Sequence, residues 1–141
     1  MKSIHILLVE DNEGDILLTT EALEESKIIN ELTVMRNGKD AIDFILKKGD
    51  HIDTPMPDLI LLDINIPLKN GHEVLEIIKN TESVKSIPVI MLTTSSTETD
   101  IQKSYKNHAN CYITKPVDVS DFLDCIIKTG EFWLNIVSLP R

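Results

Sequence analysis

The sequence predicts an α/β fold: a doubly wound, parallel (βα)5 sheet formed by a single domain. Three observations carry that prediction. Five short apolar runs alternate strictly with longer amphipathic segments, the pattern of parallel strands joined by right-handed helical crossovers. The third run, Leu59-Ile60-Leu61-Leu62, has no polar alternation, as expected of a strand buried on both faces. The length, 141 residues, matches one domain on the usual prior of roughly 100–200 residues. Hydrophobic residues make up 42% and aromatics only 4%, so the core is expected to be Ile, Leu and Val.

The first strand is the run Ile4 to Val9. After an acidic turn at Glu10 to Gly14, Ile16, Leu17, Thr20, Leu23 and Ser26 recur at helical spacing. Glu31 to Arg36 reads as the second strand, which Asn37-Gly38 breaks, and Ala41, Ile42, Ile45 and Leu46 mark the second helix. Gly49 to Pro57 reads as loop. Asp58 to Asp63 is the third strand; Pro67 and Asn70-Gly71 turn the chain into a helix through Val74, Leu75, Ile77 and Ile78. Pro88 opens a fourth strand, Val89 to Thr93, and a polar stretch from Thr94 to Thr99 leads into a short helix ending near Asn107. Cys111 to Thr114 is the fifth strand, and Lys115-Pro116 turns into a final helix beginning near Asp118 or Ser120. The expected organisation is one domain over 1–141, with a core at about 3–130 and a helical extension at about 130–141.

Composition narrows the function classes. The net charge of −9 would repel a phosphate backbone, so direct nucleic-acid binding is not expected. No window of 18 apolar residues and no leader pattern is visible, which predicts a cytoplasmic protein without a membrane span. Cys111 and Cys125 have no CxxC or ligand spacing and read as free, buried thiols. His5, His51, His72 and His108 lack metal-ligand spacing and read as surface or loop residues. No GxxxxGK[ST] or GxGxxG points to a nucleotide.

In open sheets of this class, ligands bind beyond the carboxyl ends of the strands. Those ends carry Glu10 and Asp11, Asp63, Thr93 and Thr94, and Lys115. If the strand order is 2-1-3-4-5, the switch point lies between the first and third strands and brings Glu10, Asp11 and Asp63 together. Three converging carboxylates need a counter-charge, and Mg²⁺, which favours one or two carboxylates, water and phosphate oxygens, supplies one and recruits a phosphoryl group. Asp63 would then be a ligand or a nucleophile forming an acyl phosphate, with Lys115 and Thr93 meeting phosphoryl oxygens. Taken singly each residue has a plainer reading: Glu10-Asp11 as a helix cap, Thr93-Thr94 as loop, Lys115 as surface charge, and Tyr112 as core packing.

The motifs Leu8-Val9-Glu10-Asp11-Asn12, Leu61-Leu62-Asp63-Ile64-Asn65-Ile66-Pro67, Asn70-Gly71, Pro88 to Thr93 and Tyr112-Ile113-Thr114-Lys115-Pro116 occur in this order over about residues 3–135. Together they resemble the receiver domain of two-component response regulators. The resemblance implies a flavodoxin-like sheet in the order 2-1-3-4-5 and a stand-alone regulator that catalyses its own phosphorylation and slow dephosphorylation. It implies Asp63 as phosphoacceptor, Asp11 as a direct Mg²⁺ ligand (Mn²⁺ being an alternative ion), Glu10 as a ligand through water, and the backbone carbonyl of Asn65 as a further ligand. It also implies Thr93 and Tyr112 as switch residues, Lys115 as the phosphoryl's partner, a cis Lys115-Pro116 bond, and Asn65 and Ser95 flanking the site. The implied partners are a sensor histidine kinase or phosphotransfer protein and a downstream protein reading the face of the fourth helix, fifth strand and fifth helix. The ending Phe132 to Val137 and Leu139-Pro140 resembles the small regulators partnered with bacterial phytochrome histidine kinases, and similar stand-alone regulators paired with other sensor kinases; a Phe132/Trp133 patch would either serve homodimerisation through the C-terminal half or pack on its own domain. The rivals are a haloacid dehalogenase-like phosphatase, an FMN-binding module and a phosphate-inactive pseudo-receiver. The acids of Glu10 to Glu13 disfavour an FMN phosphate loop, and Asp63-Ile64-Asn65 departs from the DxD of the phosphatases.

Overall fold

The computed structural model describes residues 3–28, 30–94 and 109–128. Five strands, β1 (Ile4–Val9), β2 (Asn30–Met35), β3 (Leu59–Asp63), β4 (Val89–Thr93) and β5 (Cys111–Thr114), form one parallel sheet in the order β2-β1-β3-β4-β5. The described helices are α1 (Glu13–Glu25), α2 (Gly38–Ile45), α3 (Gly71–Lys79) and α4 (Val119–Lys128), with a 3-10 turn at Gly49–His51 inside the expected loop. The helix expected between β4 and β5, together with Ser95, and the extension with Phe132 and Trp133 fall outside the described residues.

Central strands are buried throughout, which is why they read as unbroken apolar runs. Their alternating side chains feed two cores. Ile4, Ile6 and Leu8 of β1 pack with Ala22 and Leu23 of α1 and Phe122 and Ile126 of α4. Leu7 and Val9 pack on the other face with Ala41 and Ile45 of α2 and Val74, Leu75 and Ile78 of α3. Edge strand β2 is only half-buried, and its sequence, Asn30 to Met35, is correspondingly more polar.

Each of the first three helices starts on an asparagine. Asn12, Asn37 and Asn70 accept from the backbone N–H of Asp15, Asp40 and Glu73, and Asn70 forms a full capping box with Glu73. Behind two of these caps the chain passes close to the loop after β3. A Cβ on Gly71 would lie 2.4 Å from the Asp63 carbonyl oxygen and 2.7 Å from the Ile64 Cα, and one on Gly38 would lie 2.0 Å from the Lys69 carbonyl oxygen. Backbone atoms cannot yield as a flexible side chain would. Gly71→Ala is therefore expected to destabilise the fold by about 1–3 kcal/mol, read as a lower urea midpoint with unchanged slope; an unshifted midpoint would show that the loop relaxes freely.

Two expectations are corrected. Cys111 and Cys125 are not free thiols: they are joined as a disulfide, their Cα atoms 5.9 Å apart, linking β5 to α4. The sequence holds them 14 residues apart, and only the packing of α4 on the sheet brings the two buried positions face to face. His5 and His72 are buried rather than at the surface. The His5 ring is accommodated because its Nε2 lies 2.8 Å from the Thr33 hydroxyl and its edge meets Phe44.

Candidate phosphoryl-accepting site

Strand register assembles the site. β1 and β3 pair with Val9 opposite Leu62, so the next residues, Glu10 and Asp63, are neighbours at the carboxyl edge of the sheet. β3 and β4 pair with Asp63 opposite Leu92, placing Thr93 one step beyond on the adjoining strand. Thr93 lies opposite Thr114, which puts Lys115 next in line on β5. The backbone N–H of Lys115 donates to the Thr93 carbonyl at 2.7 Å, and the Lys115-Pro116 bond is cis.

Local structure decides what the acids are free to do. Because the Asn12 side chain caps α1, neither Glu10 nor Asp11 is needed there. Glu10 instead folds back, its Oε2 accepting from the backbone N–H groups of Asp11 (3.1 Å) and Asn12 (3.3 Å). Asp63 Oδ1 accepts from the Asn65 N–H at 3.2 Å.

Lys115 draws the carboxylates together. Its Nζ donates to Glu10 Oε1 at 2.5 Å, Asp15 Oδ2 at 2.9 Å and Asp63 Oδ2 at 2.9 Å. Burial, the largest single effect on the ammonium, works against its charge, but the bonds to Glu10, Asp15 and Asp63 outweigh it and the net shift is upward. Glu10 has no exposed surface. Burial, then its contact with Asp63, pushes its carboxyl up to about 7 despite the pull of Lys115.

That shift sets a pH dependence. Between the ordinary value of 4.5 and about 7 the folded protein binds more protons at Glu10 than the unfolded chain does. Stability of the metal-free protein therefore falls as pH rises through this window, by roughly 2–3 kcal/mol in all. Urea titrations in chelator at about pH 5 and about pH 7.5 check this: the midpoint drops at the higher pH, and a rise would contradict the assignment. A divalent cation favours ionised Glu10, so saturating Mg²⁺ is expected to abolish the fall.

Glu10, Asp11 and Asp63 each offer a carboxylate oxygen, all within 4.8 Å of one another. An all-oxygen, acidic donor set suits a hard divalent cation, and Lys115 alone leaves it net negative. Asn65, two residues beyond Asp63, is exposed beside the acids. Thr93 is buried at the end of β4, and Tyr112 is half-buried on β5, packed against the α2–α3 core.

The pattern of the response regulator receiver domain matches residues 6–127. The chain belongs to that family. Among the receiver's relatives is response regulator Rcp1 of Synechocystis sp. (strain ATCC 27184 / PCC 6803 / Kazusa), 44% identical over 135 residues, 96% of this chain and 92% of that protein. The phosphorylated cyanobacterial phytochrome response regulator RcpA superposes with a TM-score of 0.79 at 44% identity, covering 99% of both chains. The bacteriophytochrome response regulator RtBRR superposes at 0.84 with 43% identity, covering 92% of this chain and 80% of that one. A Mn²⁺-bound form of Rcp1 is also similar, with a TM-score of 0.78 at 44% identity over 98% of this chain and 99% of that one. Receiver domains accept a phosphoryl group and act as signalling switches, so neither the phosphatase nor the FMN reading is favoured. Among the described residues no helix is long and apolar enough to cross a membrane.

Sequence reasoning missed Asp15, the third carboxylate on Lys115. The signal was present: Asp15 lies four residues after Asp11, in the first turn of a helix that begins at the sheet's carboxyl edge. The strand-end rule singles out Glu10 and Asp11 but does not reach Asp15, which stands on the helix that follows.

Proposed function

We propose that this receiver is a phosphorylation switch in which Asp63 is the phosphoacceptor and Lys115 and Thr93 receive the phosphoryl oxygens. The observation that carries the reading is a buried carboxylate at the sheet's switch point, in direct contact with the one ammonium that also holds Glu10. Asp63 attacks the phosphorus of a phosphohistidine, the P–N bond breaks, and the imidazole leaves with the bonding pair and takes up a proton. An acyl phosphate results, and attack of water on its phosphorus later breaks the P–O bond, releasing inorganic phosphate and returning the carboxylate. The receiver's own residues supply position and charge for both steps.

Mg²⁺ would be held by Asp11, Asp63, the Asn65 carbonyl and, through water, Glu10, and would supply charge neutralisation for the incoming phosphoryl oxygens. The Mn²⁺-bound Rcp1 structure supports a divalent ion of this kind. The donor is a cytoplasmic sensor histidine kinase or phosphotransfer protein; similarity to RcpA and RtBRR favours a phytochrome-linked kinase. The output is a rearrangement around Thr93 and Tyr112 that alters the face containing β5 and α4, read by a partner protein or by a second copy of the chain. Intact-mass measurement after incubation with acetyl phosphate tests the reading. One added phosphoryl group that depends on Mg²⁺ is expected; no addition with the metal present would refute it.

A further inference from the structure

Lys115 has more partners than a phosphoryl acceptor's lysine can keep. An ammonium carries three N–H donors and no acceptor, and Glu10, Asp15 and Asp63 already take all three. Phosphorylation of Asp63 passes its contact to the phosphoryl group and Mg²⁺ competes for Glu10, so Asp15 is the carboxylate that still draws Lys115 away from the phosphoryl group. The three differ in what displacement costs. The Glu10 side chain is 0% exposed and that of Asp63 4% exposed, whereas that of Asp15 is 28% exposed. A carboxylate released toward water regains its solvation; a buried one does not. The backbone of Asp15 is also fixed, since its N–H is held by the Asn12 side chain at 2.9 Å, so only the side chain need swing away.

We propose that Asp15 is a positioning residue that holds Lys115 in the resting site and gives up its place to the phosphoryl group. It thereby sets a threshold: the phosphoryl group must outcompete a carboxylate already in contact with the lysine. This rests on the phosphoacceptor reading of Asp63. Removing Asp15 frees one donor of Lys115 and favours the phosphoryl-bound form.

Beryllofluoride, a phosphoryl mimic that bonds to a carboxylate in the presence of Mg²⁺, reads this as an equilibrium. With saturating Mg²⁺, D15N and D15A are expected to bind it about three- to tenfold more tightly than the unmodified chain. Mg²⁺ alone is expected to bind these variants no more tightly, since an acid has been lost. A general charge effect is separated by Glu13→Gln. Glu13 lies in the same helical turn but pairs with Arg36 rather than Lys115, so E13Q is expected to change beryllofluoride affinity less than twofold. A purely structural role would shift the melting temperature without raising the mimic's affinity. Affinity equal to or weaker than that of the unmodified chain in both Asp15 variants, or a gain matched by E13Q, overturns the proposal. Failure of the unmodified chain itself to bind the mimic would instead refute the phosphoacceptor reading.

Discussion

Asp63→Asn is expected to take no phosphoryl group from acetyl phosphate in Mg²⁺, while remaining folded. The nearly isosteric replacement fills the same space, and its one amide oxygen can accept from Lys115 or from the Asn65 N–H, where Asp63 uses one oxygen for each. What disappears is the nucleophile: an amide oxygen does not attack phosphorus to give a stable acyl phosphate. The substitution also lowers the repulsion on Glu10, for which contact with Asp63 is the largest upward influence after burial. Metal-free D63N should therefore be at least as stable as the unmodified chain near neutral pH. Intact mass gives the first result and urea unfolding the second. Full labelling of D63N would move the phosphoacceptor elsewhere.

Lys115→Ala is expected to have the larger effect on stability. It leaves Glu10, with no exposed surface, and Asp63, almost buried, without their shared cation. Stranding buried charge in this way costs roughly 3–5 kcal/mol, less whatever protonation relieves. Near neutral pH in chelator the variant should unfold at clearly lower urea. Because the cation that competes with Mg²⁺ for these acids is gone, metal affinity should rise, on the order of tenfold or more, and Mg²⁺ should restore much of the lost stability. Some phosphorylation should persist, since Asp63 and the acids remain, but the conformational response should be lost. Unchanged metal-free stability would show that Lys115 does not neutralise the site; a normal response would show that it does not relay the event. The lost response expected for K115A and the tighter mimic binding expected for the Asp15 variants follow from one arrangement, an ammonium drawn toward the phosphoryl group from one side and toward Asp15 from the other.

The fold was legible wherever packing demanded one kind of residue. A strand covered on both faces must be apolar at every position, so Leu59 to Leu62 declared itself, and β2 was placed within one residue at each end, Glu31–Arg36 expected against Asn30–Met35 observed. The site was legible because parallel strands place their carboxyl ends at one edge whatever the details, so Glu10, Asp11, Asp63, Thr93 and Lys115 could be grouped from the chain alone. Acidic residues on α1 were harder, since a carboxylate facing solvent and one facing a lysine 100 residues away look alike in sequence. His5 misled for a related reason: the hydrogen bond its ring makes is with Thr33 on the neighbouring strand.

By itself, then, the sequence determined which elements form, in what order, and which residues stand at the strand ends, because periodicity, turn residues and apolar runs are local properties. Only the tertiary structure decided that Asn12 rather than Glu10 or Asp11 caps α1, that Asp15 joins Lys115, that Gly38 and Gly71 press against the loop after β3, and that Cys111 meets Cys125. Each of these depends on a distance between atoms that are remote in the chain or on competition among equivalent side chains. Such outcomes are settled by how the helices seat on the sheet, which no single stretch of residues encodes.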